Sequence, residues 1–153
     1  MDINFRINAP QSNIEEAKLR EFTAYVDGGC NNRTHSNAYG SFMVFGKDVV
    51  IRAETFILDS KTSNQAEYES MIKLLEFINW YMKHHRGIRW TVYCDSKLTV
   101  KQTVAGWKVN NPILKRLNRR ARSLYKRVKS REFKNQVEII WIPRAGIVEV
   151  LGH

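Results

Sequence analysis

Between residues 22 and 58, apolar side chains recur with a period of two in three runs, 22–30, 39–45 and 49–58, the pattern of half-buried strands. Gly46, Lys47 and Asp48 separate the last two runs and suit a tight hairpin. Three successive strands with short connections are expected to pair antiparallel. After Asp59 and Ser60 the period changes to 3.6. Met71, Leu74, Leu75, Ile78 and Met82 then share one face of a long helix, with Ser63 as its expected N-cap and an end near residue 83.

In the run 88–94, Ile88, Trp90, Val92 and Cys94 alternate with Arg89, Thr91 and Tyr93, predicting a buried strand. A helix is expected from Ser96, interrupted by Gly106. Asn110, Asn111 and Pro112 break the chain, and Pro112 fits the first turn of another helix reaching about residue 129. There Leu114, Leu117, Ala121, Leu124 and Val128 form an apolar stripe, while Lys115, Arg116, Arg119, Arg120, Arg122, Lys126 and Arg127 cover the rest. A last strand is expected over 137–142 and a last helix from Ile147. Residues 1–20 are polar, with Pro10, Gln11, Ser12 and Asn13 ahead of one or two helical turns at 14–19, and read as an N-terminal extension to a domain of residues 21–153. The order βββαβααβα predicts an α/β protein with a mixed sheet flanked by helices.

A chain of 153 residues with 43% apolar and 26% charged side chains has the composition of one globular domain, which argues against disorder and a membrane fold. It has neither a run of 18 apolar residues nor the layout of a signal peptide at Met1, Asp2, Ile3 and Asn4, so a cytoplasmic protein with no membrane partner is expected. Cys30 and Cys94 lack zinc-ligand spacing and are expected to be reduced thiols.

The net charge of +10 is localised: residues 97–134 hold thirteen bases and one acid, Glu132, while the remainder carries a net of −2. A polyanionic partner is the first reading of that segment, with a solvated basic surface as the alternative.

Three acids stand out against this background. Asp27 ends a strand and is followed by Gly28 and Gly29; Asp95 ends another, just before the Ser96 helix. In sheets with helix crossovers ligands bind beyond the carboxyl ends of strands, although either Asp alone could be a cap or turn residue. Glu67, at i−4 from Met71 and i−7 from Leu74, shares the helix face that packs on the sheet. A carboxylate there needs a partner, either a divalent cation or a base such as Arg144. Three carboxylates so arranged form a hard oxygen site suited to Mg²⁺ or Mn²⁺ rather than zinc.

Tyr25-Val26-Asp27-Gly28-Gly29, Ser63-Asn64-Gln65-Ala66-Glu67-Tyr68 and Tyr93-Cys94-Asp95-Ser96 resemble, in order, the first three motifs of type 1 ribonuclease H. Trp107-Lys108-Val109-Asn110-Asn111-Pro112 with Leu114-Lys115 resembles compact prokaryotic members, and Ile140-Trp141-Ile142-Pro143-Arg144 resembles the strand leading to the fourth motif. The resemblance covers about residues 22–144 and implies a ribonuclease H-like fold, a five-stranded mixed sheet with its first three strands antiparallel. It implies cleavage of the RNA strand of RNA–DNA hybrids with two Mg²⁺ ions, Mn²⁺ substituting, to give 5′-phosphate and 3′-hydroxyl ends. In that scheme Asp27 bridges ions roughly 3.5–4 Å apart while Glu67 and Asp95 complete their shells.

By the same resemblance, Gly28, Gly29 and Cys30 and the side chains of Asn64 and Gln65 would meet 2′-hydroxyls. Asn64 and Gln65 could equally serve the helix start. Trp107, Lys108, Arg119, Arg120 and Lys126 would lie along the DNA strand, with a core role as the alternative for Trp107. A monomer is expected.

The fourth motif departs from the family pattern. Residues 145–153 contain no Asp, leaving Glu149 and His153, four residues apart and on one helical face if the helix continues. His153 is the preferred candidate, because imidazole binds metal or relays a proton and related nuclease folds accept His there. A frayed terminus and a truncated chain are alternatives, and either would accompany weak or Mn²⁺-requiring activity. Two competing functions remain open: a binding module that has lost catalysis, and a junction-resolving nuclease of the same superfold. A DEDD-type exonuclease is disfavoured because its first motif would read Asp-x-Glu.

Overall fold

The computed structural model describes residues 20–31, 33–130 and 136–153. They form β1 (Arg20–Asn31), β2 (Ser36–Gly46), β3 (Val49–Leu58), α1 (Ser63–His84), β4 (Ile88–Cys94), α2 (Lys97–Val104), α3 (Pro112–Ser130), β5 (Gln136–Trp141) and α4 (Arg144–Leu151). The extension expected over residues 1–20 lies outside the described residues, except that Arg20 already belongs to β1.

The strands make one five-stranded sheet in the order β3-β2-β1-β4-β5. β1, β2 and β3 pair antiparallel, whereas β4 runs parallel to both β1 and β5. This is the mixed sheet that the element order predicts. Lys47 takes a positive φ of 58° in the short turn that closes the β2–β3 hairpin.

Alternation along the strands divides the sheet into two faces. Phe22, Ala24 and Val26 of β1 and Ile88, Trp90, Val92 and Cys94 of β4 are buried with Met71, Leu74, Leu75, Ile78 and Met82 of α1 in the main core. Residues of opposite parity, including Tyr25 and Asp27, turn away from α1 to the side where α4 packs on β1 and β2 with Ile147 fully buried.

The start of α1 corrects one expectation. Thr62, not Ser63, is the N-cap: its hydroxyl accepts from Gln65 N at 3.2 Å, and Gln65 Oε1 reaches back to accept from Lys61 N at 2.9 Å. Thr62 is followed three residues later by a glutamine able to return the bond, whereas Ser63 is followed at that spacing by Ala66. Ser63 Oγ instead donates to Cys30 O at 3.1 Å, tying the helix start to the end of β1.

The basic helix α3 begins as expected at Pro112, with Asn111 Oδ1 accepting from Ile113 N and Leu114 N. Ala121, Leu124, Tyr125 and Val128 are buried, while Leu114 and Leu117 are half-buried. A polar network holds α3 to its neighbours. Tyr68 OH donates to Gln102 Oε1 at 2.6 Å, and Asn118 Nδ2 donates to Tyr68 OH and to Gln102 O, both at 3.1 Å. No described helix is long and apolar enough to cross a membrane, and both cysteines are free thiols.

Candidate active site

Val26 of β1 and Cys94 of β4 are register partners in a parallel pair, so Asp27 and Asp95 follow at the same level of neighbouring chain segments. β4 ends at Cys94, whereas Asp27, expected at a strand end, lies inside β1 and pairs with Ser41 of β2. Asp27 is only 2% exposed. Glu67 joins them because Gly28 has no side chain. A Cβ at Gly28 would collide with the carbonyl oxygen of Ala66 and lie 2.6 Å from its carbonyl carbon, so α1 rests directly on the strand backbone. One oxygen each of Asp27, Glu67 and Asp95 then lie within 4.8 Å of one another.

Three carboxylates this close strain the charged state. Burial, then the charge of Asp95, raises the Asp27 carboxyl above its ordinary range, opposed by Arg144 and His153. Glu67 is pushed up to about 7, chiefly by burial; a hydrogen bond with Ser96 opposes the shift, while Asp95 and Asp27 reinforce it. Arg144 is the base held among the acids, 2.7 Å from Asp95 Oδ2 and 3.4 Å from Asp27 Oδ1. The pair with Asp95 raises the guanidinium further above its already high range. Asp95 Oδ1 is buried with no hydrogen-bond partner among the described residues. That unmatched oxygen, beside the Glu67 carboxyl whose ionised form burial and like charges oppose, fits a hard divalent cation.

The residues after α4 bring a histidine to the same place. Gly152 adopts φ 85° at the C-cap, donating its N–H to Val148 O at 2.8 Å, and this left-handed turn directs the next residue back to the sheet. His153 Nδ1 lies 3.0 Å from Asp27 Oδ2 and Nε2 lies 2.8 Å from Ser41 Oγ. The expectation that Glu149 and His153 share a helical face fails, because α4 ends at Leu151. Glu149 is exposed, and its charge acts on Tyr25.

Gly28, Gly29 and Cys30 line an open cleft of about 520 Å³ with Asn31, Tyr39, Ser63, Glu67 and Arg144. Asn64 is exposed at the start of α1, while Gln65 is engaged in the cap. Trp107, 49% exposed, and Lys108 are in the connection from α2 to α3, and the solvent-facing side of α3 carries Arg119, Arg120 and Lys126. Arg120 is paired with Glu76 at 3.0 Å. Arg122 donates to the carbonyls of Gln102 (3.2 Å) and Thr103 (3.1 Å), completing the end of α2.

Sequence reasoning passed over two residues of β2. Tyr39 OH donates to Asp27 Oδ2 at 3.4 Å, and Ser41, 3% exposed, meets His153. The available signal was a small polar residue, Ser41, at the head of the apolar run Phe42-Met43-Val44-Phe45; the fold pairs it with Asp27.

A family model described as RNase H matches residues 20–146. A ribonuclease HI of Halobacterium salinarum is 32% identical over 101 residues, or 66% of this chain and 49% of that protein, so the match spans about half of that curated relative's length. The crystal structure of RNase H1 from Halobacterium salinarum superposes with a TM-score of 0.67 at 26% identity, covering 83% of this chain and 89% of that one. The N-terminal RNase H domain of a Mycobacterium tuberculosis protein gives a TM-score of 0.68, also at 26% identity, over 85% of this chain and 87% of that one. The fold is also that of LC11-RNase H1, solved in complex with an RNA/DNA hybrid, at TM-score 0.68 and 23% identity over 84% and 89% of the two chains. A family match across most of the chain, on a sheet of this order, gives the conclusion: the chain belongs to the RNase H family, among its type 1 members.

Proposed function

We propose that this chain is an endoribonuclease that hydrolyses the RNA strand of RNA–DNA hybrids with two divalent cations, Mg²⁺ or in its place Mn²⁺, leaving 5′-phosphate and 3′-hydroxyl ends. The domain of this reading spans residues 21–153. The observation that carries it is the convergence of Asp27, Glu67 and Asp95 within 4.8 Å beside an open cleft, with Asp95 Oδ1 buried and unmatched. Family membership and the hybrid complex of the structurally similar LC11-RNase H1 support the substrate class.

Divalent cations held by Asp27, Glu67 and Asp95 would supply activation of a water nucleophile and charge stabilisation of the leaving oxygen. The chain's own residues do the rest. Asp27, the most buried of the three, would be the ligand shared by both cations, as the family resemblance implies, while Glu67 and Asp95 would complete the set. Arg144, pairing with Asp95 and Asp27, restrains their charge and presents a guanidinium to the cleft, where it can meet a phosphate oxygen. His153 takes the fourth position, supported by its contact with Asp27, while Glu149 lies outward. Backbone of Gly28, Gly29 and Cys30, with Asn64, faces the RNA strand. Trp107, Lys108, Arg119 and Lys126 hold the DNA strand, and Arg120 contributes less because Glu76 already pairs with it.

Cleavage of labelled RNA–DNA hybrid, double-stranded RNA, duplex DNA and a four-way junction, each with Mg²⁺, Mn²⁺ or EDTA, tests the reading. Metal-dependent cutting of the RNA strand in the hybrid is expected to exceed all other activity. Preferential junction cutting overturns it in favour of a resolvase, and binding without cutting overturns it in favour of an inactive module.

A further inference from the structure

Asp27 and Ser41 are direct partners across the β1–β2 ladder, on the sheet face that meets α4. They present a carboxylate and a hydroxyl to opposite nitrogens of one imidazole, Asp27 Oδ2 3.0 Å from His153 Nδ1 and Ser41 Oγ 2.8 Å from Nε2. Tyr39, two residues before Ser41 on the same face, closes the third side with its ring edge-on to the imidazole, centroids 4.8 Å apart at 89°.

We infer that Ser41 is a positioning residue that fixes the ring orientation and tautomer of His153 at the candidate active site. The inference rests on the reading of His153 as the fourth site residue. The two nitrogens of imidazole are distinct, and the bond made by one decides what the other offers. A carboxylate can only accept, so Asp27 orders the Nδ1 side. A ring flip would set carbon against both Asp27 and Ser41 and forfeit two hydrogen bonds at once. Ser41 is buried in an otherwise apolar stretch of β2, where an unpartnered hydroxyl is costly, so the pairing holds hydroxyl and ring together. Gly152 alone would leave the following side chain free to rotate; the Asp27 contact holds one edge of the ring and the Ser41 contact holds the other.

The test uses the full chain, ¹⁵N-labelled and freed of metal with EDTA, and long-range ¹H–¹⁵N spectra of the histidine rings, with His153 assigned by His153→Ala. His153 should show one tautomer with two well-separated nitrogen signals. Ser41→Ala should average those signals, and Ser41→Thr should restore them. In the hybrid-cleavage assay Ser41→Ala should lower kcat about tenfold with little change in KM, and should cause no further loss in a His153→Ala background. Averaged signals in the wild type, unchanged signals in Ser41→Ala, or an equal loss of kcat in both backgrounds would overturn the assignment. Wild-type turnover by His153→Ala would instead contradict the fourth-position reading, with the ring spectra still deciding whether Ser41 positions the ring.

Discussion

Gly28 touches the first turn of α1 so closely that a Cβ on it would lie 2.6 Å from the Ala66 carbonyl carbon. This one contact sets how close Glu67 lies to Asp27 and Asp95. Gly28→Ala should push the helix outward, destabilising the chain by about 1–3 kcal/mol, a typical overpacking cost. It should also weaken metal-dependent cleavage more than hybrid binding. Thermal unfolding with kinetics on the same variant checks both, and wild-type stability and turnover in Gly28→Ala would refute the close-packing argument.

Glu67 is held in a site whose burial and like charges oppose its ionised form. Replacing it with Gln should raise the melting temperature of the metal-free chain, by about 2–4 °C for each kcal/mol relieved, while reducing cleavage by roughly 10²-fold or more. The stabilisation by added Mg²⁺, visible as a shift in melting temperature for the wild type, should shrink in the variant. Unfolding scans with and without Mg²⁺ measure each effect.

The same group gives a pH dependence with a definite sign. Its carboxyl titrates near 7 in the folded chain against 4.5 as the ordinary value, so the folded state binds the proton more tightly than the unfolded state. The stabilisation from that proton is complete below about 4.5 and is lost as pH rises through about 7. A cation needs the ionised form, so apparent Mg²⁺ affinity should strengthen over the same rise. Mg²⁺ titrations at several pH values should show this in the wild type, with a flatter profile for Glu67→Gln.

Basic residues on α3 should separate into two kinds. Arg122 completes the carbonyls of Gln102 and Thr103, and its replacement by Ala should lower stability by about 1–3 kcal/mol. Arg119 and Lys126 are exposed and should leave stability unchanged, each reducing the slope of log affinity against log salt by about one. Binding measured across a salt series, beside melting curves, distinguishes the two classes. Equal behaviour of Arg122→Ala and Arg119→Ala would contradict it.

Much of this arrangement is legible in the residue pattern, and the exceptions share a cause. Period-two and period-3.6 runs reflect burial on one face, which is local to each element, so the strands, α1 and the stripe of α3 can be read directly. Asp27, Asp95 and Glu67 are visible because each sits where its own element's pattern makes a charge anomalous. Ser41 reaches the site through a contact with a residue more than a hundred positions away in sequence, on which periodicity is silent. His153 and Arg144 are named by the sequence only as candidates, one for the fourth position and one as a partner for Glu67. The contacts they make, His153 with Asp27 and Ser41 and Arg144 with Asp95 and Asp27, belong to the tertiary fold. The cap of α1 differs from expectation by one residue because Thr62 and Ser63 are both good caps, and the partner that decides between them is Gln65. Arg122 reads as one more charge on a basic face until the end of α2 is seen beneath it.

The most direct measurement is cleavage of an RNA–DNA hybrid labelled on its RNA strand, by the wild type and by Asp27→Asn, in Mg²⁺ and in EDTA. The account predicts RNA fragments with 5′-phosphate ends from the wild type in Mg²⁺, none in EDTA, and a loss of at least about 10²-fold in Asp27→Asn with hybrid binding retained. Cleavage that persists in EDTA, or that survives undiminished in Asp27→Asn, would contradict it.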